Sequence, residues 1–200
     1  PGQYRLEVES SRPDDAVEIV SGIDHVCVRR PLGGGGYRVQ CWGANNYGQL
    51  GDGTTTTRAT PGDVIGLPSD IVGFGYGSSH RTCVRLSSGE ARCFGHNGFG
   101  GLASGAPDRD LFTTSPVTMT LAAAEFPATG IRQICTGEFM SCVLRDRGVA
   151  GVGEVLCAGA DDFGQMGDGV VARADASRLQ AVIDPSGVGT FDDAIAITCS

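Results

Sequence analysis

The sequence predicts an all-β protein assembled from propeller blades, and three observations carry that prediction. Glycine supplies 32 of the 200 residues with no collagen-like period, which marks a chain rich in turns. Apolar residues fall in many short runs bounded by turn residues, and helical periodicity is scarce. One composite pattern also recurs along the chain at a spacing of 55 and then 60 residues. That spacing suits a unit of four short antiparallel strands.

The first unit opens with Gly22-Ile-Asp-His25-Val-Cys27 and continues at Val39-Gln-Cys41-Trp42-Gly43-Ala-Asn45-Asn-Tyr47-Gly48-Gln49-Leu50-Gly51-Asp52-Gly53. The second places Gly77-Ser-Ser-His80-Arg-Thr-Cys83 before Ala91-Arg-Cys93-Phe94-Gly95-His-Asn97-Gly-Phe99-Gly100-Gly-Leu102. In the third, Gly137-Glu-Phe-Met140-Ser-Cys142 precedes Val155-Leu-Cys157-Ala158-Gly159-Ala-Asp161-Asp-Phe163-Gly164-Gln165-Met166-Gly167-Asp168-Gly169. The units run over about 16–70, 71–130 and 131–193. Asp15–Gly22, Ile131–Gly137 and Asp193–Ser200 align as the joints between them. The chain thus starts and stops in mid-repeat, and the expectation is an excerpt of a longer array.

In the second unit the strands are expected near Ile71–Tyr76, Arg81–Leu86 and Glu90–Phe94. The fourth is expected at Pro61–Ile65 or its successor near Pro116–Leu121. Thr120–Phe126, the one helix-compatible stretch, reads better as a strand running into a loop. Gly48 and Gly51 bracket a tight turn. Leu50, Leu102 and Met166 are expected to fill the space between blades, and so are Tyr47, Phe99 and Phe163. His25 and His80 are read as equivalent residues that hydrogen-bond within their blades, with Met140 standing in their place in the third unit.

Net charge is −8, and all 15 basic residues are arginine. An acidic chain without a basic patch is a poor partner for phosphate backbones, so nucleic acid is not expected. Arg29, Arg30 and Arg38 read as solvated hairpin residues. No run of 18 apolar residues exists, so no membrane span is expected in this segment. Nucleophile-elbow, zincin and phosphate-loop motifs are lacking. No catalytic residue, cofactor or metal site is therefore called. The Asp-rich stretch from Asp161 to Asp168 does not have the alternating spacing of a calcium loop.

The run G-x-x-H-x-C, then V-x-C-W-G-x-N-x-Y-G-Q-L-G-D-G-T, then T-R-x-x-P ending at Pro61, resembles the repeat of the regulator-of-chromosome-condensation family in its bacterial, cysteine-bearing form. The first unit carries the pattern most fully. In the others Phe94 and Ala158 replace Trp42, and Ala181 replaces Pro61. The resemblance implies an all-β propeller of about seven blades whose faces bind other proteins, with about three blades present here.

Six of the eight cysteines occupy two repeat positions. A three-residue loop Ser87-Ser88-Gly89 pairs Leu86 with Glu90, and counting outward sets Cys83 opposite Cys93. Disulfides are expected at Cys27–Cys41, Cys83–Cys93 and Cys142–Cys157, which implies an oxidising compartment: periplasm, cell surface or exterior. Cys135 reads as a buried thiol. A bond from it to Cys199 is disfavoured, because inner strands of neighbouring blades are expected to lie too far apart. The longest variable segment, Ser104–Thr114, offers Arg109, Leu111 and Phe112 as a candidate partner contact.

The functional expectation is an extracytoplasmic protein-binding propeller of adhesin, inhibitor or scaffold type, not catalytic, with a partner protein of unknown identity. The alternatives are an exchange-factor-like regulator of a small GTPase and a non-catalytic part of a larger enzyme.

Overall fold

The structure is a computed structural model and describes residues 16–105, 111–122, 128–148, 151–170, 176–187 and 189–199. Its framework is three four-stranded antiparallel sheets. The first contains β1 (Glu18–Ser21), β2 (His25–Pro31), β3 (Tyr37–Gly43) and β4 (Arg58–Asp63). In the second are β5 (Ile71–Phe74), β6 (Arg81–Leu86), β7 (Ala91–His96) and β8 (Phe112–Thr118). The third comprises β9 (Ile131–Thr136), β10 (Met140–Asp146), β11 (Gly153–Gly159) and β12 (Ala176–Ala181). Each sheet keeps its strands in chain order, as a propeller blade does.

The local sequence explains these elements. Gly89 takes φ +81° in the β6–β7 hairpin, and Leu86 N donates to Glu90 O at 2.9 Å. Cys83 then faces Cys93, as Cys27 faces Cys41 and Cys142 faces Cys157. Pro61 and Pro116 sit in β4 and β8, the outer strands, where a missing N–H interrupts no ladder. The fourth strand of the second blade is therefore the Pro116 run, starting earlier than expected at Phe112. Thr120 and Leu121 are bridge residues, and 123–127 lie outside the described residues. In the middle blade all but one residue of β6 is buried, because another blade covers each face.

The turn after each third strand is held by one side chain. Asn45 Oδ1 accepts the Leu50 N–H at 3.0 Å, Asn97 Oδ1 the Leu102 N–H at 3.1 Å, and Asp161 Oδ1 the Met166 N–H at 3.0 Å. The turn aims Leu50, Leu102 and Met166 inward, each at most 1% exposed. It aims the preceding aromatic outward, which corrects the expectation that Tyr47, Phe99 and Phe163 fill the core. Tyr47 is 37% exposed and Phe163 88%.

The core lies between blades. Leu50, Phe74, Val84 and Phe94 pack the first blade on the second. Leu102, Met119, Ile134, Val143 and Leu179 pack the second on the third. Hydrogen bonds thread these layers. His25 Nε2 lies 2.7 Å from Thr82 Oγ1 across the blade boundary, and Thr82 Oγ1 donates to Gln49 O at 3.1 Å. One boundary further on, Arg81 donates to Ser141 Oγ at 3.3 Å, and Ser141 Oγ to Gly101 O at 2.7 Å.

This corrects two readings. His25 bonds across blades rather than within one. Its equivalent is also Arg81, not His80, because His25, Arg81 and Met140 all pair with the glycine two residues after the next strand's cysteine. The second unit carries one extra residue before its cysteine, which shifts His80 into the loop. Burial lowers the Arg81 guanidinium to about 10.

Candidate protein-binding face

Two sets of loops leave the sheets at the end marked by His25–Gly43, Arg81–Gly95 and Met140–Gly159. One set joins the first and second strands of each blade. The other joins the third and fourth. Together they carry an aromatic rim.

Tyr47 N donates to Gln49 Oε1 at 2.9 Å, a short loop that stands the ring up from the turn. The ring then leans on the second blade, 5.2 Å from the His80 ring and 4.9 Å from His96 in an edge-on contact. Phe163 N makes the same bond to Gln165 Oε1 at 2.8 Å. In the second blade Gly101 takes the glutamine's place, so that bond is missing. Phe99 there adopts φ +61° and meets Phe139 edge-on at 5.4 Å. A Cβ at Gly101 would overlap the Arg81 guanidinium, which explains the glycine.

The variable segment joins the rim. Leu111 O accepts the Asn97 N–H at 2.7 Å, and Phe112 pairs with His96 in the β7–β8 ladder. Those backbone bonds leave the Leu111 and Phe112 side chains 61% and 40% exposed. Arg109 lies outside the described residues. His96 links Tyr47 to Phe112. Burial lowers its pKa, and the nearby Arg81 and His80 charges push the same way. The rim therefore presents an uncharged imidazole among aromatic rings, with exposed Asp24, Glu138 and Asp162 around it.

The structure draws disulfides at Cys27–Cys41, Cys83–Cys93 and Cys142–Cys157, each joining two strands of one blade. It also joins Cys135 to Cys199, Cα atoms 5.4 Å apart, in place of the buried thiol expected for Cys135. The expectation failed because inner strands of neighbouring blades converge. Tyr76 and Cys135 form a parallel bridge, with Tyr76 N donating to Ile134 O at 3.0 Å and Thr136 N to Tyr76 O at 2.9 Å. At that depth, adjacent blades are hydrogen-bonding neighbours.

The turn-holding Asn45, Asn97 and Asp161 and the cross-blade hydroxyls of Thr82 and Ser141 escaped the sequence reading. A signal for them was present, since Asn or Asp recurs at the same place in every unit. Among the described residues no helix is long and apolar enough to cross a membrane.

The profile of the Regulator of chromosome condensation (RCC1) repeat matches residues 38–84, from β3 of the first blade to β6 of the second. The crystal structure of human WBSCR16 is similar, with a TM-score of 0.65 and 17% identity over 89% of this chain and 40% of that one. Yeast RCC1 (Prp20), crystallised bound to Kap60, is similar too, with a TM-score of 0.65 and 19% identity over 88% of this chain and 39% of that one. The chain thus spans about two fifths of the length of these structures. Residues 38–84 thus match the RCC1 repeat, and the three four-stranded blades share the propeller fold of the RCC1 (Prp20) structure.

Proposed function

We propose that the chain is a non-catalytic protein-binding module of an oxidising, extracytoplasmic compartment, and that it meets its partner through the aromatic rim. The observation that carries this reading is the row of apolar side chains at one end of the blades: Tyr47, Leu111, Phe112, Phe139 and Phe163. Each is at least 37% exposed, and the ring of Phe163 is almost fully in solvent. Exposed apolar side chains along one end of the blades, edged with carboxylates, form a surface that a protein partner desolvates. The acidic edge favours a partner with basic groups beside an apolar patch. The yeast RCC1 (Prp20) structure, bound to Kap60, is a precedent for a propeller of this fold holding another protein. Cysteines paired at equivalent places in every blade support the oxidising compartment.

The test is crosslinking and capture with the purified protein against the surface and secreted fractions of its own cells. The comparison is a Tyr47→Ser, Phe112→Ser double variant. Loss of one specific captured protein in the variant, with an unchanged melting temperature, is the expected result. Equal capture by both proteins overturns the rim as the contact. If thiol blocking of native protein finds the six hairpin cysteines reduced, the compartment assignment falls and an intracellular regulator takes its place.

A further inference from the structure

Three cysteines of the third blade stand side by side. Cys142 faces Cys135 across β9 and β10, and it faces Cys157 across β10 and β11. Residues that face each other in a sheet project to the same side, so the three form one row over three strands. Cys199 extends the row beyond β9 through its bond to Cys135. All four belong to one apolar cluster. Two disulfides, Cys199–Cys135 and Cys142–Cys157, therefore lie end to end.

The other blades lack this row. Val20 faces Cys27 from β1. In the second blade Gly75 holds the corresponding place, its N donating to Cys83 O at 2.8 Å. A hairpin staple thus does not by itself call for a cysteine at 135.

The strand geometry allows a bond in the gap between the two disulfides. The Cα atoms of Cys142 and Cys157 are 4.1 Å apart, the close spacing of a pair without ladder hydrogen bonds. Cys142 then turns its N–H and C=O toward Cys135, and the Cα atoms of such a hydrogen-bonded pair lie about 5.5 Å apart. A disulfide spans that distance. The order of the row also sets the direction of attack. A thiolate displaces the far sulfur of a disulfide by approaching the near one from the opposite side. Cys135 lies on the side of Cys142 away from Cys157, which is that approach.

Access is from one end. Cys135, Cys142 and Cys157 are buried, and Cys199 is partly exposed. Cys135 and Cys199 line a cleft of about 400 Å³, together with Arg85 and Arg132 and without a carboxylate. Arg132 is paired with Asp146 at 2.9 Å, while Arg85 has no ion pair among the described residues. Positive charge near a cysteine favours its thiolate.

We infer that the third blade is a thiol–disulfide exchange site for a small thiol, with Cys199 as the entry sulfur and Cys135 as the relay to Cys142–Cys157. An incoming thiolate bonds to Cys199 Sγ, and the Cys135–Cys199 bond breaks with its electron pair left on Cys135. The Cys135 thiolate bonds to Cys142 Sγ, and the Cys142–Cys157 bond breaks with its electron pair left on Cys157, which takes up a proton. A second small thiolate attacks the mixed disulfide and releases Cys199, which is protonated in turn. Two small thiols are thereby oxidised to one disulfide, and their two protons end on Cys157 and Cys199. Cys135 and Cys142 are newly linked. The covalent tie of the blade moves from the β10–β11 hairpin to β9–β10, and residue 199 is released from β9.

Reduced glutathione is the probe, applied to purified protein whose disulfides have been verified by unreduced peptide mapping. Samples are quenched at intervals with N-ethylmaleimide. Cys199 is expected to react first and Cys157 second, with Cys135–Cys142 linked and Cys27–Cys41 and Cys83–Cys93 still closed. Cys135→Ser removes the relay, and opening of Cys142–Cys157 is expected to slow by on the order of tenfold. Loss of the link to Cys199 would by itself loosen the blade and have the opposite effect. Cys199→Ser leaves Cys135 as a standing thiol, so Cys135–Cys142 with a blocked Cys157 is expected there without glutathione. Opening of Cys142–Cys157 in Cys135→Ser at the wild-type rate or faster overturns the relay. So does a Cys199→Ser protein in which Cys142–Cys157 is fully retained. If the starting protein shows Cys135 and Cys199 unlinked, the exchange site falls, whereas the compartment assignment falls only with the hairpin pairs.

Discussion

His25 Nε2 and Thr82 Oγ1, side chains of neighbouring blades, lie 2.7 Å apart at a boundary closed to solvent. The Thr82 hydroxyl spends its proton on Gln49 O, so it accepts from His25, which assigns the N–H to Nε2. Nδ1 is then bare, buried and without a partner. Protonating it would place a charge where nothing receives it.

Loss of stability in mild acid follows from that geometry. Burial, helped by the nearby His80 charge and opposed by Asp24, lowers the His25 pKa from 6.5 to about 4. A depressed histidine pKa makes the neutral form the native one. Its contribution is complete above pH 6.5 and is lost as pH falls toward 4. The loss should amount to roughly 3 kcal/mol. His25→Met, which copies Met140 of the third blade, removes this titration. Its melting temperature should fall less than that of wild type between those two pH values. Parallel curves for the two proteins would refute the assignment.

The tight turn of the first blade should be intolerant at Gly48. Its φ is +70°, and a Cβ there would overlap the Thr113 carbonyl of the second blade. Gly48→Ala is expected to cost about 2–4 kcal/mol. Gly66 shares the φ of +70° but has nothing within 4 Å of its hypothetical Cβ. Gly66→Ala should therefore cost only about 1 kcal/mol. Urea denaturation of the two variants separates strain from collision.

Asn45→Ala should rank among the most damaging single changes. It strands the Leu50 N–H and removes the amide that donates to Asp52 Oδ1 at 3.2 Å, Thr54 O at 3.0 Å and Thr56 O at 3.2 Å, all at a side chain that is fully buried. A loss of about 2–4 kcal/mol is expected by denaturant titration. A loss under about 0.5 kcal/mol, the range of ordinary surface changes, would mean that the turn stands without it.

Unreduced peptide mapping of thiol-blocked native protein should recover four linked pairs, including Cys135–Cys199. On mild reduction, Cys135–Cys199 should open first. Cys199 is partly exposed, whereas Cys27, Cys41, Cys83 and Cys93 are at most 1% exposed, and attack requires access to a sulfur. Finding a hairpin pair alkylated before Cys199 would contradict this order.

The sequence by itself determined the blade. Its repeat spacing, its hairpin loops and the inward Leu50, Leu102 and Met166 are local matters, set within one unit by turn chemistry and alternation. The facing of Cys83 and Cys93 follows from a three-residue loop in the same way. Relations between units were decided by the tertiary structure. Conformation is repeated locally, but contact across a blade boundary depends on how far each sheet is rotated against the next. That rotation brings His25 to Thr82 and Arg81 to Ser141. It lets Cys135 reach Cys199 where inner strands converge, and it lays Tyr47 on His80 and His96 instead of in the core. The aromatic rim is a product of the same packing, because its members come from separate loops that the chain alone does not place together.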